Sequence, residues 1–161
     1  MTPLPARISA ALLVLILPAL SLAAAAPPVD SGQVIYRQGV LPTGQPITAS
    51  REPGMAISGA AAACMNCHKR SGLGTREGQA TIPPIAGSYL FHPRAGTVDD
   101  LDLPFVEGMR ADRDPYTEAT LARAIREGIA GDGKPLNYLM PHYVLDDAQM
   151  AALIALSLIH I

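Results

Sequence analysis

Cys64-Met65-Asn66-Cys67-His68 is the stretch of this chain whose residue types and spacing carry chemistry. Two thiols with two residues between them, followed at once by an imidazole, form the covalent attachment site of a c-type haem. Each thiol adds across one vinyl group of the porphyrin, and the two-residue gap matches the spacing of the vinyl carbons. His68 then lies under the iron and supplies one axial nitrogen. Cys64 and Cys67 are the only cysteines, so no thiol remains for a disulfide or a second metal site. A bare Cys-x-x-Cys also occurs in redox dithiols and in halves of zinc sites. A dithiol requires a βαβ setting, and zinc requires a second pair of ligands at close spacing. The sequence shows neither.

An iron held by His68 has a sixth position, for which Met140 is the expected ligand. It ends a loop, and Pro141 stiffens the turn that aims the thioether inward. His142 is the alternative axial ligand; bis-His ligation lowers the potential, whereas His/Met raises it. Met55, Met65, Met109 and Met150 read as core filler. A carbonyl of the rigid turn Ile82-Pro83-Pro84-Ile85-Ala86-Gly87 is placed to accept a hydrogen bond from the second ring nitrogen of His68, fixing its orientation and basicity.

The elements that must position these residues are read as helices joined by long loops. Residues 30–38 form a short helix with Asp30 or Ser31 as N-cap and Gly39 as its stop. Residues 40–59, rich in Pro, Gly, Ser and Thr, read as loop. The alanine run 60–63 makes a helical turn leading into the motif. The glycine-spaced basic segment 69–78 reads as a loop under the porphyrin, since no strand precedes it and no Gly-Lys-Ser/Thr follows to make a phosphate loop. Residues 89–114 show no periodicity and hold the acidic run Asp99-Asp100-Leu101-Asp102. A helix spans 115–128, with Thr117 as N-cap and Leu121, Ala124, Ile125 and Ile129 as its apolar stripe. A last helix starts near Asp146-Asp147 and buries Met150, Leu153 and Ile154. No internal repeat is evident.

At 161 residues the chain suits one domain with a modest core. Aromatics are only 4% and Trp is absent, so something other than large side chains must fill the centre, and a porphyrin would. A net charge of -2 with no basic run argues against a nucleic-acid partner. The N-terminus reads as a signal peptide: Arg7, an apolar run over 8–22 interrupted by Pro18, and Ala23-Ala24-Ala25 as the cleavage site, giving a mature chain from residue 26. An uncleaved membrane anchor is the alternative, but the run is short for a span. Either puts the domain in the periplasm. The last six residues, Leu156-Ser157-Leu158-Ile159-His160-Ile161, match codon for codon the translation of a transposon-end adaptor used in sequencing libraries. They are expected to be an artefact following a natural domain at 26–155, so His160 is set aside as a ligand.

The residues together resemble the class I, monohaem-type cytochromes c. The resemblance is carried by Gly32-x-x-Ile35-Tyr36, Cys64-x-x-Cys67-His68, Pro83-x-Ile85-Ala86-Gly87 and Leu121-x-x-Ala124-Ile125-x-x-Gly128. It continues in Met140-Pro141-x-Tyr143 and Asp146-x-x-x-x-Ala151-Ala152-Leu153-Ile154-Ala155. It implies an all-α fold of a few short helices around one covalent haem c, the first and last helices crossing beside it. It further implies that the Pro83 carbonyl bonds His68 and that Met140 is the distal ligand. Two departures stand out: a loop insert over about 39–59 separates the first helix from the motif, and Leu156 stands where the family often has an aromatic. The expected function is periplasmic one-electron transfer between redox partner proteins, with no substrate chemistry of its own. The alternatives are the haem domain of a larger enzyme, dehydrogenase-linked or dihaem peroxidase-like, and a gas-binding haem sensor. Lys69, Arg70 and Arg76 near the motif suit an acidic partner, haem propionates or plain solvation.

Overall fold

The computed structural model describes residues 29–51, 54–93 and 114–159. The expected leader over 1–25 and the acidic run 99–102 therefore lie outside the described residues. The element order is α1 (Val29–Gln38), β1 (Thr48–Arg51), β2 (Met55–Ser58), a 3-10 turn (Gly59–Ala62), α2 (Met65–His68), β3 (Thr75–Glu77), β4 (Ala80–Ile82), α3 (Gly87–Leu90), α4 (Glu118–Glu127), β5 (His142–Val144) and α5 (Asp147–Ile159). None of these helices is long and apolar enough to cross a membrane.

The expected all-α class is overturned. The chain is mixed α/β, with a three-stranded antiparallel sheet ordered β2-β1-β5 and a separate β3-β4 hairpin. The segment read as a loop insert supplies the first sheet. Thr48 pairs with Ser58 and Arg51 with Met55 across the hairpin, while Ala49 pairs with Tyr143 on the other side. Small and polar residues hide this strand from a hydrophobicity reading, yet Ile47 and Ala49, two apart, are both buried (2% and 4% exposed). The partner strand β5 lies some ninety residues downstream, a pairing that no local pattern announces. The basic segment after His68 likewise contributes β3 instead of remaining loop throughout.

The core joins α1, α5 and the three-stranded sheet. Ile35, Tyr36, Ile47, Tyr143, Met150, Leu153 and Leu156 form one buried cluster. α1 and α5 cross where Gly32 meets Ala152; a Cβ on Gly32 would collide with the Ala152 carbonyl, so only glycine allows this approach. α5 continues through Leu156, which is 2% exposed against that crossing. Its start is a capping box: Asp146 accepts from the Gln149 N–H at 2.8 Å, and the Gln149 side chain accepts from the Asp146 N–H at 3.0 Å. Thr117 and Thr120 cap α4 in the same reciprocal way.

One repeat emerges that the sequence reading missed. α1 and α4 both end at a left-handed glycine, Gly39 (φ 68°) and Gly128 (φ 69°), each bonding back to its helix. The same turn follows in each case. Leu41 and Ala130 N–H donate to Gln45 and Lys134 carbonyls, Gly44 and Gly133 adopt φ of 83° and 85°, and the bridges Val40–Pro46 and Ile129–Pro135 close the loop. The sequences GVLPTGQPI and GIAGDGKPL share only the glycines and a proline, which are the residues the backbone demands.

Candidate functional site

The Cys64–His68 segment is a single helical turn whose backbone is pinned at both ends. His68 N–H donates to the Cys64 carbonyl at 3.0 Å and Lys69 N–H to the Met65 carbonyl at 2.9 Å. Lys69 then leaves the helix with φ 62°, the one described non-glycine residue with positive φ. Tyr36, from α1, donates its hydroxyl to the Lys69 carbonyl at 2.7 Å, and Tyr143, from β5, donates to the Ala62 carbonyl at 3.0 Å. Two buried phenols from distant parts of the chain thus clamp the segment on either side of the cysteines. Burial raises the pKa of both well above the ordinary tyrosine value, so they remain donors at any physiological pH.

His68 is 7% exposed and its Nδ1 lies 3.2 Å from the Pro83 oxygen. A carbonyl only accepts, so Nδ1 carries the proton and the neutral ring keeps its lone pair on Nε2. Burial favours that neutral form, moving the His68 pKa below its usual value against the smaller opposing effect of the Pro83 bond. The β3-β4 hairpin brings Pro83 there: β4 ends at Ile82, and Ile85 N–H then donates to the Gly72 carbonyl at 2.7 Å. Both cysteines are free and half-buried. Burial pushes the Cys64 thiol up to about 11, with the nearby Tyr143 hydroxyl opposing the shift. A redox dithiol needs the reverse, a thiol lowered toward neutrality. Among the described residues no three His, Cys, Asp or Glu side chains gather as a bare metal site.

Cys64, Cys67, His68, Pro83 and Met140 line one cavity of about 540 Å³, well within the roughly 300–1,000 Å³ usual for small-molecule and cofactor sites. Its other walls are mostly apolar, with Ile82, Ile85, Leu90, Leu121, Ile125, Leu136 and Leu153, and include the polar side chains of Asn66, Thr81, Asn137 and Ser157. Met140 is held by a turn in which its N–H donates to the Asn137 carbonyl at 2.9 Å and Leu139 N–H donates to the Asn137 side chain at 3.0 Å. His142 does not line this cavity. It sits in β5 with its ring packed on Gly128, where a Cβ would strike Nε2.

Arg51 also lines the cavity, and its Nε is buried with no hydrogen-bond partner. Sequence reading passed over it within a presumed loop, although Ile47, Ala49 and Arg51 recur at every second residue along one strand face. No family model, curated protein or solved structure matches this chain. The functional reading therefore rests on the residues themselves. They fit a covalent haem: two thiols at the attachment spacing, a neutral imidazole beside them, a thioether in the same cavity, a mostly apolar lining, and a buried guanidinium atom without an anion.

Proposed function

We propose that this chain is a periplasmic one-electron carrier that holds one covalent haem c through Cys64 and Cys67, with His68 and Met140 as axial ligands. The supporting observation is that all four side chains line one mostly apolar cavity, with His68 oriented by Pro83. A bound haem supplies a one-electron ferrous–ferric couple. The chain's residues do the rest. Pro83 holds the proton of His68 on Nδ1 and leaves Nε2 free to ligate. Leu121, Ile125, Leu136 and Leu153 exclude water and present a low-dielectric wall. Asn137 and Pro141 fix the backbone on either side of Met140. Redox partner proteins would meet the protein at the rim of this cavity, and docking of that kind is weak and salt-sensitive.

The test is production of the full chain in a bacterial periplasm that attaches haem c. Haem that stays with the polypeptide through denaturing electrophoresis is expected, and it should disappear in Cys64→Ala/Cys67→Ala. A wild-type protein that folds, is exported and carries no covalent haem overturns the reading.

A further inference from the structure

The hairpin β1–β2 stands between α1 and the attachment motif, and it delivers one functional group to the cavity. Of the described residues lining that cavity, Arg51 alone bears a permanent charge, and no Asp, Glu or Lys accompanies it. Its Nε is buried and unpartnered. A buried guanidinium N–H with no hydrogen-bond partner, in a mostly apolar cavity lined by no carboxylate, is satisfied by an anion, and the planar donor fork of the group matches a carboxylate. The backbone that carries it is fixed. Arg51 ends the central strand, pairs with Met55 in β2, and accepts from the Gly54 N–H at 2.7 Å through its carbonyl.

We infer that Arg51 is the ion-pair partner of a haem propionate, and that the hairpin thereby sets the potential of the iron. This rests on the haem reading above, which presents two carboxylates to a cavity whose lining holds no other charged side chain than Arg51. A cation held beside one of them offsets its negative charge. Without that cation the exposed negative charge favours ferric over ferrous iron, so removing Arg51 lowers the potential.

The experiment compares wild type, Arg51→Lys and Arg51→Met, each with haem attached, by spectroelectrochemical titration. Arg51→Met should shift the ferrous-to-ferric ratio about tenfold toward ferric at fixed potential, a fall of about 59 mV for one electron. Arg51→Lys should recover most of it. An Arg51→Met protein with covalent haem and the wild-type potential overturns the inference and leaves the haem reading standing, whereas a wild type without haem fails the reading itself. If Arg51→Met takes no haem but Arg51→Lys does, charge at this position decides loading and the inference holds. If neither variant takes haem, wild type carrying ¹³C-carboxyl haem decides by nuclear magnetic resonance. One carboxylate titrating well below the other supports the pair, and two titrating alike overturn it.

Discussion

Tyr36 and Tyr143 show how single side chains hold the Cys64–His68 turn. Each donates to a backbone carbonyl flanking the cysteines, at Lys69 and Ala62. Tyr143→Phe removes the buried donor while keeping the ring, and urea unfolding should show a loss of about 1–3 kcal/mol. The same burial governs the Cys64 thiol when no haem is attached. With Cys64 pushed up to about 11, thiolate is disfavoured, so alkylation of Cys64 should keep accelerating as pH rises through 9 toward 11; a plateau near pH 9 would contradict a buried thiol. Met140 has a spectroscopic test. In the haem-loaded protein, Met140→Ala should abolish the weak near-infrared sulfur-to-iron band and let carbon monoxide bind the reduced form. A band unchanged by that substitution would exclude Met140 as ligand.

At the scale of elements, one turn is used twice. After α1 and after α4 the chain passes from a left-handed glycine through a second glycine to a bridged proline, with matching hydrogen bonds. Gly44 and Gly133 offer a clean measurement, because a Cβ at either meets nothing within 4 Å. Gly44→Ala and Gly133→Ala should therefore each cost about 1–2 kcal/mol from backbone conformation alone, and by similar amounts, in chemical denaturation. The ends of the helices were legible locally: Gly39 and Gly128 stop theirs, Thr117 caps α4, and α5 begins with an acidic pair. β1 was not legible. Thr48, Ala49 and Ser50 carry little hydrophobic signal, and the strand exists because Ile47 and Ala49 are buried in the common core and β1 pairs with β5, Ala49 opposite Tyr143.

Over the whole molecule, the α1–α5 crossing and the cavity are coupled. Leu153 and Ser157 of α5 and Tyr36 of α1 line the cavity, while Gly32 sets how closely the helices approach. Gly32→Val should force them apart, destabilising the fold by about 1–3 kcal/mol and reducing haem retention along with stability. If haem occupies the cavity of about 540 Å³, its attachment fills space lined mostly by apolar side chains and adds packing contacts there. Haem attachment should accordingly raise the thermal midpoint, and the protein without haem should be the more easily cleaved by protease. Equal midpoints for the two forms would mean that the cavity is not where haem packs.

The sequence alone made Cys64, Cys67 and His68 legible as the candidate haem-attachment residues, because thiol spacing and an adjacent imidazole are local properties of a short peptide. It also established the helix stops at Gly39 and Gly128, where backbone sterics act within a few residues. The tertiary structure decided what depends on contacts between distant segments. It made a sheet of the apparent loop after α1, since β1 is completed by β5 from the far end of the chain. It packed the His142 ring on Gly128, outside the cavity that Met140 lines. And it set Arg51 in that cavity with a buried, unpaired donor, a placement fixed by strand pairing and burial that no spacing in the sequence announces.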